Sequence, residues 1–262
     1  YFELSADFAA DPAMQMDYVL VAPANKTVVF DLAGCTLTAS NNPETKLLRA
    51  NGTLVLEDSS PDKTGKITGG TKYSAVEVAD GATFILNGGT ITGNHGEGFA
   101  GGVTVFRSAT FVMNGGAITG NTSNTTHAGV DTDYRSVVEV SGTATITGNI
   151  AKDASGADAA CNLWLNTLNG ARLTIGEKGL DPAAEIGLYI NSRAFTFSQV
   201  FTNPFESGKA VAGNFTLDDG DFDIKVVDTA DGKQQMILSR KQTLTLTVLP
   251  NEEADYGAGV TL

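Results

Sequence analysis

The residues best suited to chemistry in this 262-residue chain fall in its middle third. His95, Glu97 and Phe99 share one glycine-rich loop over 94–102, His127 lies in a second over 121–129, and Asp131, Asp133, Tyr134 and Arg135 follow it. A third loop covers 150–162. Imidazoles and carboxylates are the common general acids and bases. Carboxylate oxygens suit Ca²⁺. Aromatic rings with polar tips suit mixed apolar and hydrogen-bonding ligands such as sugars.

Each chemistry makes a demand that can be checked. Glycoside hydrolysis needs two carboxyl groups within about 10 Å across the scissile bond, and the Asn-His-Gly-Glu-Gly stretch at 94–98 lacks the paired Asp residues. Zinc needs three or four ligands, whereas His95 and His127 stand eight and three residues before Val103 and Val130, so they do not share a repeat position. Calcium needs at least three gathered carboxylates. Only Glu77, Asp131 and Asp133 could meet, with Glu77 two repeats, or roughly 10 Å, from Asp131. These acids are therefore expected to be solvated. No catalytic residue and no cofactor is assigned, Ca²⁺ being the one cation such oxygens would accept. For Phe99 and Tyr134 two readings stand side by side, a platform for a sugar ring or ordinary loop packing. Loops on a rigid scaffold commonly carry recognition, so His95, Glu97, Phe99, His127, Asp131, Asp133, Tyr134 and Arg135 form the candidate binding set.

The scaffold is legible as a repeat. Val76, Val103 and Val130 recur at 27-residue steps, as do Phe84, Phe111 and Val138, and Leu86, Met113 and Val140. Ile91 and Ile118 keep the step, and Ile146 comes one residue late because of the added residue at Ser141-Gly142-Thr143. Apolar residues alternate within each copy, which means strands with one buried face. Gly-Gly, Asn-Gly and Gly-Asn separate them and allow sharp bends. A fixed period with three short strands per copy predicts an all-β solenoid, a parallel β-helix of stacked coils. It is expected to be right-handed, following the bias of parallel crossovers.

Outer coils are expected around 28–37, 47–56, 163–175 and 186–190, with a cap over 1–24 and a closing segment over 191–240 that includes a turn at 218–221. The alternating run 241–249, followed by Pro250 and acidic residues, is expected to begin a linker or a further module over 241–262. An EF-hand reading of Asp218-Asp-Gly-Asp-Phe-Asp223 fails, because the twelfth position from Asp219 is Ala230 where Glu is required.

Three rows follow from stacking. Asn94, Asn121 and Asn149 occupy one corner, and the expected arrangement is a ladder of side-chain amides. Thr68, Thr92, Thr119 and Thr147 make an outward row resembling that of ice-binding solenoids, but Lys66 and Ala117 interrupt its companion row. Val55, Ile85 and Val112 face outward and call for cover by the N-terminal segment, the 191–215 loop or a partner. Cys35 and Cys161 sit about four or five coils apart, too far for a disulfide.

Composition bounds the partners. Asp and Glu number 30 against 17 Lys and Arg, a net charge of −13, which disfavours nucleic acid and anionic membrane surfaces. No apolar run approaches the roughly 18 residues of a membrane span. Glycine, at 30 of 262 residues, exceeds its usual share of about 7%.

The block Ala82-Thr-Phe-Ile-Leu-Asn-Gly-Gly-Thr-Ile-Thr-Gly-Asn94, with Gly101-Gly-Val-Thr-Val-Phe106, resembles the G-G-T-I-[ST]-G-N repeats of large surface proteins of gut Gram-positive bacteria, which are pectin-lyase-like right-handed β-helices of adhesin character. The segment Lys26-Thr-Val-Val-Phe-Asp-Leu-Ala-Gly-Cys-Thr-Leu-Thr38 is similar to the opening of the same group. The resemblance implies an exported, wall-attached protein and no single activity. The first reading of function is a non-catalytic binding module of a larger chain, secreted or wall-attached, for a host or plant glycan, a mucin or a surface protein. A polysaccharide lyase or hydrolase on the same scaffold, and a structural spacer, are the alternatives.

Overall fold

The computed structural model describes residues 1–10, 18–39, 44–167, 171–190, 198–218, 220 and 222–241. Among them the fold is nearly all-β, a parallel solenoid of about 7 turns. The expected three strands per coil are present. The first sheet stacks Leu20–Ala22, Leu48–Ala50, Val76–Val78, Val103–Val105, Val130–Thr132 and Leu163–Leu165. The second runs from Phe2–Glu3 through Thr27–Asp31, Thr53–Glu57, Thr83–Leu86, Thr110–Met113 and Val137–Gly142 to Arg172–Leu180. The third runs from Phe8–Ala9 through Thr36–Thr38, Lys66–Thr68, Thr90–Thr92, Ala117–Thr119 and Thr145–Thr147 to Glu185–Ile190. Glu185–Ile190 pairs with both Thr145–Thr147 and Leu163–Leu165, so the first and third sheets fuse at the last coil.

Register explains the core. Phe84 pairs with Phe111, Ile91 with Ile118 and Val103 with Val130, so like stacks on like and all of these side chains are buried. The Phe84 and Phe111 rings stack 5.4 Å apart, 8° from parallel. The added residue of the sixth coil falls between the pairs Met113–Val140 and Ala117–Thr145, where Gly142 takes a positive φ of 58°. Such insertions are how a β-ladder accommodates an extra residue.

The asparagine corner forms the expected ladder and reaches further than the repeat. Asn94 Nδ2 donates to Asn121 Oδ1 (3.0 Å), Asn121 to Asn149 (3.0 Å) and Asn149 to Asn162 (3.1 Å). Each amide also donates to a carbonyl of the preceding coil, those of Ile67, Ile91 and Ile118. The row starts where the Gly70 N–H donates to Asn94 Oδ1 and ends where Asn162 donates both its N–H and its Nδ2 to the Asp218 carboxylate, each at 2.7 Å. The residue before three of these asparagines is Gly93, Gly120 or Gly148, at φ between 64° and 67°, a left-handed corner that glycine adopts without steric cost.

The two ends of the stack are built differently. Within 1–24, Phe2 pairs with Phe30, Phe8 with Leu37 and Leu20 with Leu48, so this segment continues the stack. At the other end, Ser198–Val200, Phe222–Asp228 and Gln234–Arg240 form a three-stranded antiparallel sheet. Phe201, Phe205, Phe215, Met236 and Leu238 from this region join the core. Asp218 is the ladder's terminus, while 219 and 221 of the expected turn, and the run 242–262, lie outside the described residues. Val55, Ile85 and Val112 are half-buried, and Val29 extends their row. Cys35 and Cys161 are both free.

Replacing Asn121 by Ala takes the Oδ1 acceptor from the Asn94 N–H and Nδ2, and takes one donor each from Asn149 Oδ1 and the Ile91 carbonyl, in a buried row. An unmet buried polar group costs about 1–3 kcal/mol. Asn121→Ala is expected to lower unfolding free energy by about 3 kcal/mol, against less than about 0.5 for the exposed Lys66→Ala. Equal unfolding midpoints for the two variants in urea would show that the ladder contributes nothing.

Candidate functional site

The outward row of the first sheet divides into two halves. In register it reads Arg49, Glu77, Thr104, Asp131, Trp164 and Tyr189. The N-terminal half is closed on itself. Arg49 Nη1 donates to Glu77 (2.7 Å) and to the Tyr18 hydroxyl (2.8 Å), and the same hydroxyl donates to Glu77 (2.6 Å). Burial and the Glu77 carboxylate push the Tyr18 hydroxyl up to about 12. Thr104 shares a 2.6 Å hydrogen bond with Ser74. The expectation of solvated acids is therefore corrected at Glu77, which is buried and paired.

The C-terminal half is open. Strand alternation aims these side chains outward: Asp131 lies between buried Val130 and Thr132, and Trp164 between buried Leu163 and Leu165. His127 Nδ1 lies 3.3 Å from Asp131 Oδ2, both side chains being only about a quarter exposed at 25% and 21%. Asp131, too, is thus a partnered, half-buried group. The His127 ring meets Trp164 at 4.3 Å in an edge-on arrangement, and Trp164 stacks on Tyr189 at 4.6 Å, 8° from parallel. Beside this stack is a cleft of about 510 Å³. Its opposite wall is the antiparallel hairpin of Ile150–Lys152 and Asp158–Ala160, and Thr126 and Cys161 also line it.

Electrostatics act against a thiolate at this cleft. A cysteine, a histidine and an aspartate close together would suggest a thiolate nucleophile, but that needs a lowered thiol pKa. Burial instead pushes the Cys161 thiol up to about 12, and its S–H donates to the Thr126 carbonyl at 3.0 Å. His127 Nε2 is 3.2 Å from the Thr126 hydroxyl. Burial lowers the His127 pKa, partly offset by the Asp131 charge. Burial raises that of Asp131, with repulsion from Asp133 adding and His127 opposing. Among the described residues no three His, Cys, Asp or Glu side chains gather closely enough to hold a metal ion.

The eight sequence-derived residues separate into four groups. His127 and Asp131 meet beside Trp164, whose ring lines the cleft. His95 and Glu97 sit elsewhere: His95 is on a short strand pairing with Thr122–Ser123, its Nδ1 2.8 Å from Thr122 Oγ1, and the Glu97 N–H donates to the Lys72 carbonyl at 2.7 Å. Phe99 packs edge-on against Phe106 at 6.3 Å, which is loop packing. Asp133, Tyr134 and Arg135 make the turn after Val130–Thr132. Asp133 Oδ1 accepts the Tyr134 N–H at 2.6 Å, and the Arg135 guanidinium lies 4.8 Å over the Tyr134 ring. Trp164, Tyr189, Thr126 and Cys161 escape the sequence reading. The alternations Leu163-Trp-Leu165 and Leu188-Tyr-Ile190 were the available signal, since each places its aromatic residue outward in the row of Asp131.

No protein-family model matches the chain, and no curated protein and no solved structure matches it either.

The His127 shift has a sign that NMR can read. Burial holds the folded-state value below the ordinary 6.5, so protonation favours the unfolded chain, and stability present above 6.5 is lost as pH falls from there through the lower folded-state value. The imidazole is expected to titrate with a midpoint below 6.5, and Asp131→Asn, by removing the charge that favours imidazolium, should move it lower still. An upward move in that variant would overturn the assignment.

Proposed function

We propose that the protein is a non-catalytic, adhesin-like recognition module that binds a glycan, free or carried on a mucin or surface protein, in the cleft beside Trp164. The observation that carries the reading is the His127–Trp164–Tyr189 stack with Asp131 at its edge, bordering a cleft of about 510 Å³. Concave sites with apolar and aromatic walls and a few polar groups are the usual form of small-ligand sites. A rigid solenoid supports this one, so little ordering is needed on binding, which favours affinity. The repeat resemblance adds the setting: an exported, secreted or wall-attached protein in which this module is one part of a larger chain. The raised pKa of the buried Cys161 thiol weighs against a thiolate mechanism for the lyase and hydrolase alternatives, and among the described residues Asp153 is the one carboxylate lining the cleft.

A glycan and mucin array probed with labelled protein, with and without Ca²⁺, tests the reading. Reproducible hits are expected, and Trp164→Ala and Asp131→Ala should each weaken them about tenfold or more, the loss of one aromatic or charged contact of roughly 1.4 kcal/mol. A blank array would sink the proposal and favour the spacer role.

A further inference from the structure

We infer that the cleft selects sugars bearing an acetamido group. This rests on the glycan reading above and adds the chemical class of the ligand.

Three features of the cleft match the three parts of an acetamido substituent. The first is a wall of small apolar side chains. Ala151, Ala159 and Ala160 come from the hairpin and Ile190 from the last strand, so methyl groups cover a surface that water hydrates poorly. An acetamido methyl can be buried there, where a bare hydroxyl would lose its water without replacement. The second is a donor in need of an acceptor. Trp164 lines the cleft, and among the described residues its indole N–H meets no acceptor. The indole nitrogen can only donate, so a carbonyl oxygen is its natural complement.

The third feature is an acceptor for the acetamido N–H. With His127 neutral and its Nδ1–H directed to Asp131, Nε2 is an acceptor, and the Thr126 hydroxyl gives its proton to it across 3.2 Å. The Thr126 oxygen then keeps lone pairs free on the cleft side. A methyl surface, a donor and an acceptor are thus offered together.

The same features disfavour the neighbouring sugar classes. A uronate or other carboxylate would face Asp153 in a chain of net charge −13, and Lys152 is already paired with Asp158. A free amino sugar would set an ammonium against alanine methyls and leave the indole N–H unmet. A plain hexose would satisfy the donor and leave the methyl wall empty. Discrimination by a methyl-sized contact plus a hydrogen bond is the kind of difference that a preformed pocket can supply.

The chain has a single tryptophan, so intrinsic fluorescence reports on this cleft directly. Titration of the full chain with N-acetylglucosamine, N-acetylgalactosamine and di-N-acetylchitobiose is expected to give binding at least tenfold tighter than glucose, galactose and glucosamine. Thr126→Val, a substitution at an exposed side chain, should erase that preference. Trp164→Phe, which keeps a ring in the stack and removes the N–H, should lower acetamido affinity about tenfold by calorimetry. Equal binding of acetylated and plain sugars would overturn the selectivity and leave the glycan reading standing. Binding of array glycans without any response to the acetamido sugars would do the same, and silence of both array and titrations would overturn the two together.

Discussion

The solenoid is organised around a buried, one-directional row of hydrogen bonds. A side-chain amide holds its donor and acceptor in a fixed plane, so each ladder asparagine can serve its neighbour only if the next coil sits at the right height and phase. A slip of one residue would turn every amide away and leave buried donors unmet, a cost paid at several coils at once. The row therefore enforces the register that the apolar stacks alone would leave looser, since one aliphatic rung packs tolerably on several others. Its polarity also requires a terminator. Asn162 has two donors to place, and a carboxylate, which only accepts, can take both. Asp218 does so from 56 residues away, which ties the C-terminal segment to the same constraint that orders the coils.

The candidate site lies where that regularity is relaxed. From the third to the sixth coil the outward row of the first sheet is either internally paired, as at Arg49, Glu77 and Thr104, or held to strict stacking. Past Asp131 the connections lengthen, an antiparallel hairpin replaces a parallel rung, and two sheets fuse on one strand. A cleft needs such an interruption, because a perfect stack has faces but no concavity. The regular coils contribute rigidity and place Asp131, Trp164 and Tyr189 in line. Violations of local pattern in an otherwise consistent fold are where function is usually found.

This division accounts for what could be read in advance. Coil length, strand alternation, the corner glycines and Asn94, Asn121 and Asn149 are local periodic signals, and a fixed period makes them legible from residue types alone. Asn162 follows Asn149 by only 13 residues, because its coil is entered through the hairpin, so counting by the repeat passes over it. Asp218 resembled a turn residue in an acidic run, since nothing local distinguishes a solvated carboxylate from one accepting two buried N–H groups. The same blindness applied to Glu77 and Asp131. Their burial comes from Tyr18 and Arg49 in one case and from His127 in the other, contacts that depend on loop paths between strands. Trp164 and Tyr189 were visible as outward residues, but their stacking requires knowing that two irregular connections return to adjacent positions.

The electrostatics of the cleft region share one direction. Burial is the leading influence on four groups there, and in each it acts toward the neutral form: upward for Cys161, Asp131 and Asp218, downward for His127. Proton transfer near neutrality profits from groups pushed apart in opposite directions, one held charged as base and another held neutral as acid. A set displaced uniformly toward neutrality does something else. It leaves hydrogen-bonding groups whose donors and acceptors are fixed by neighbours, as His127 is by Asp131 and Cys161 by the Thr126 carbonyl. Such a surface meets an uncharged, polar ligand at small desolvation cost, which is the physical situation of a neutral sugar entering an alanine-lined cleft beside a tryptophan.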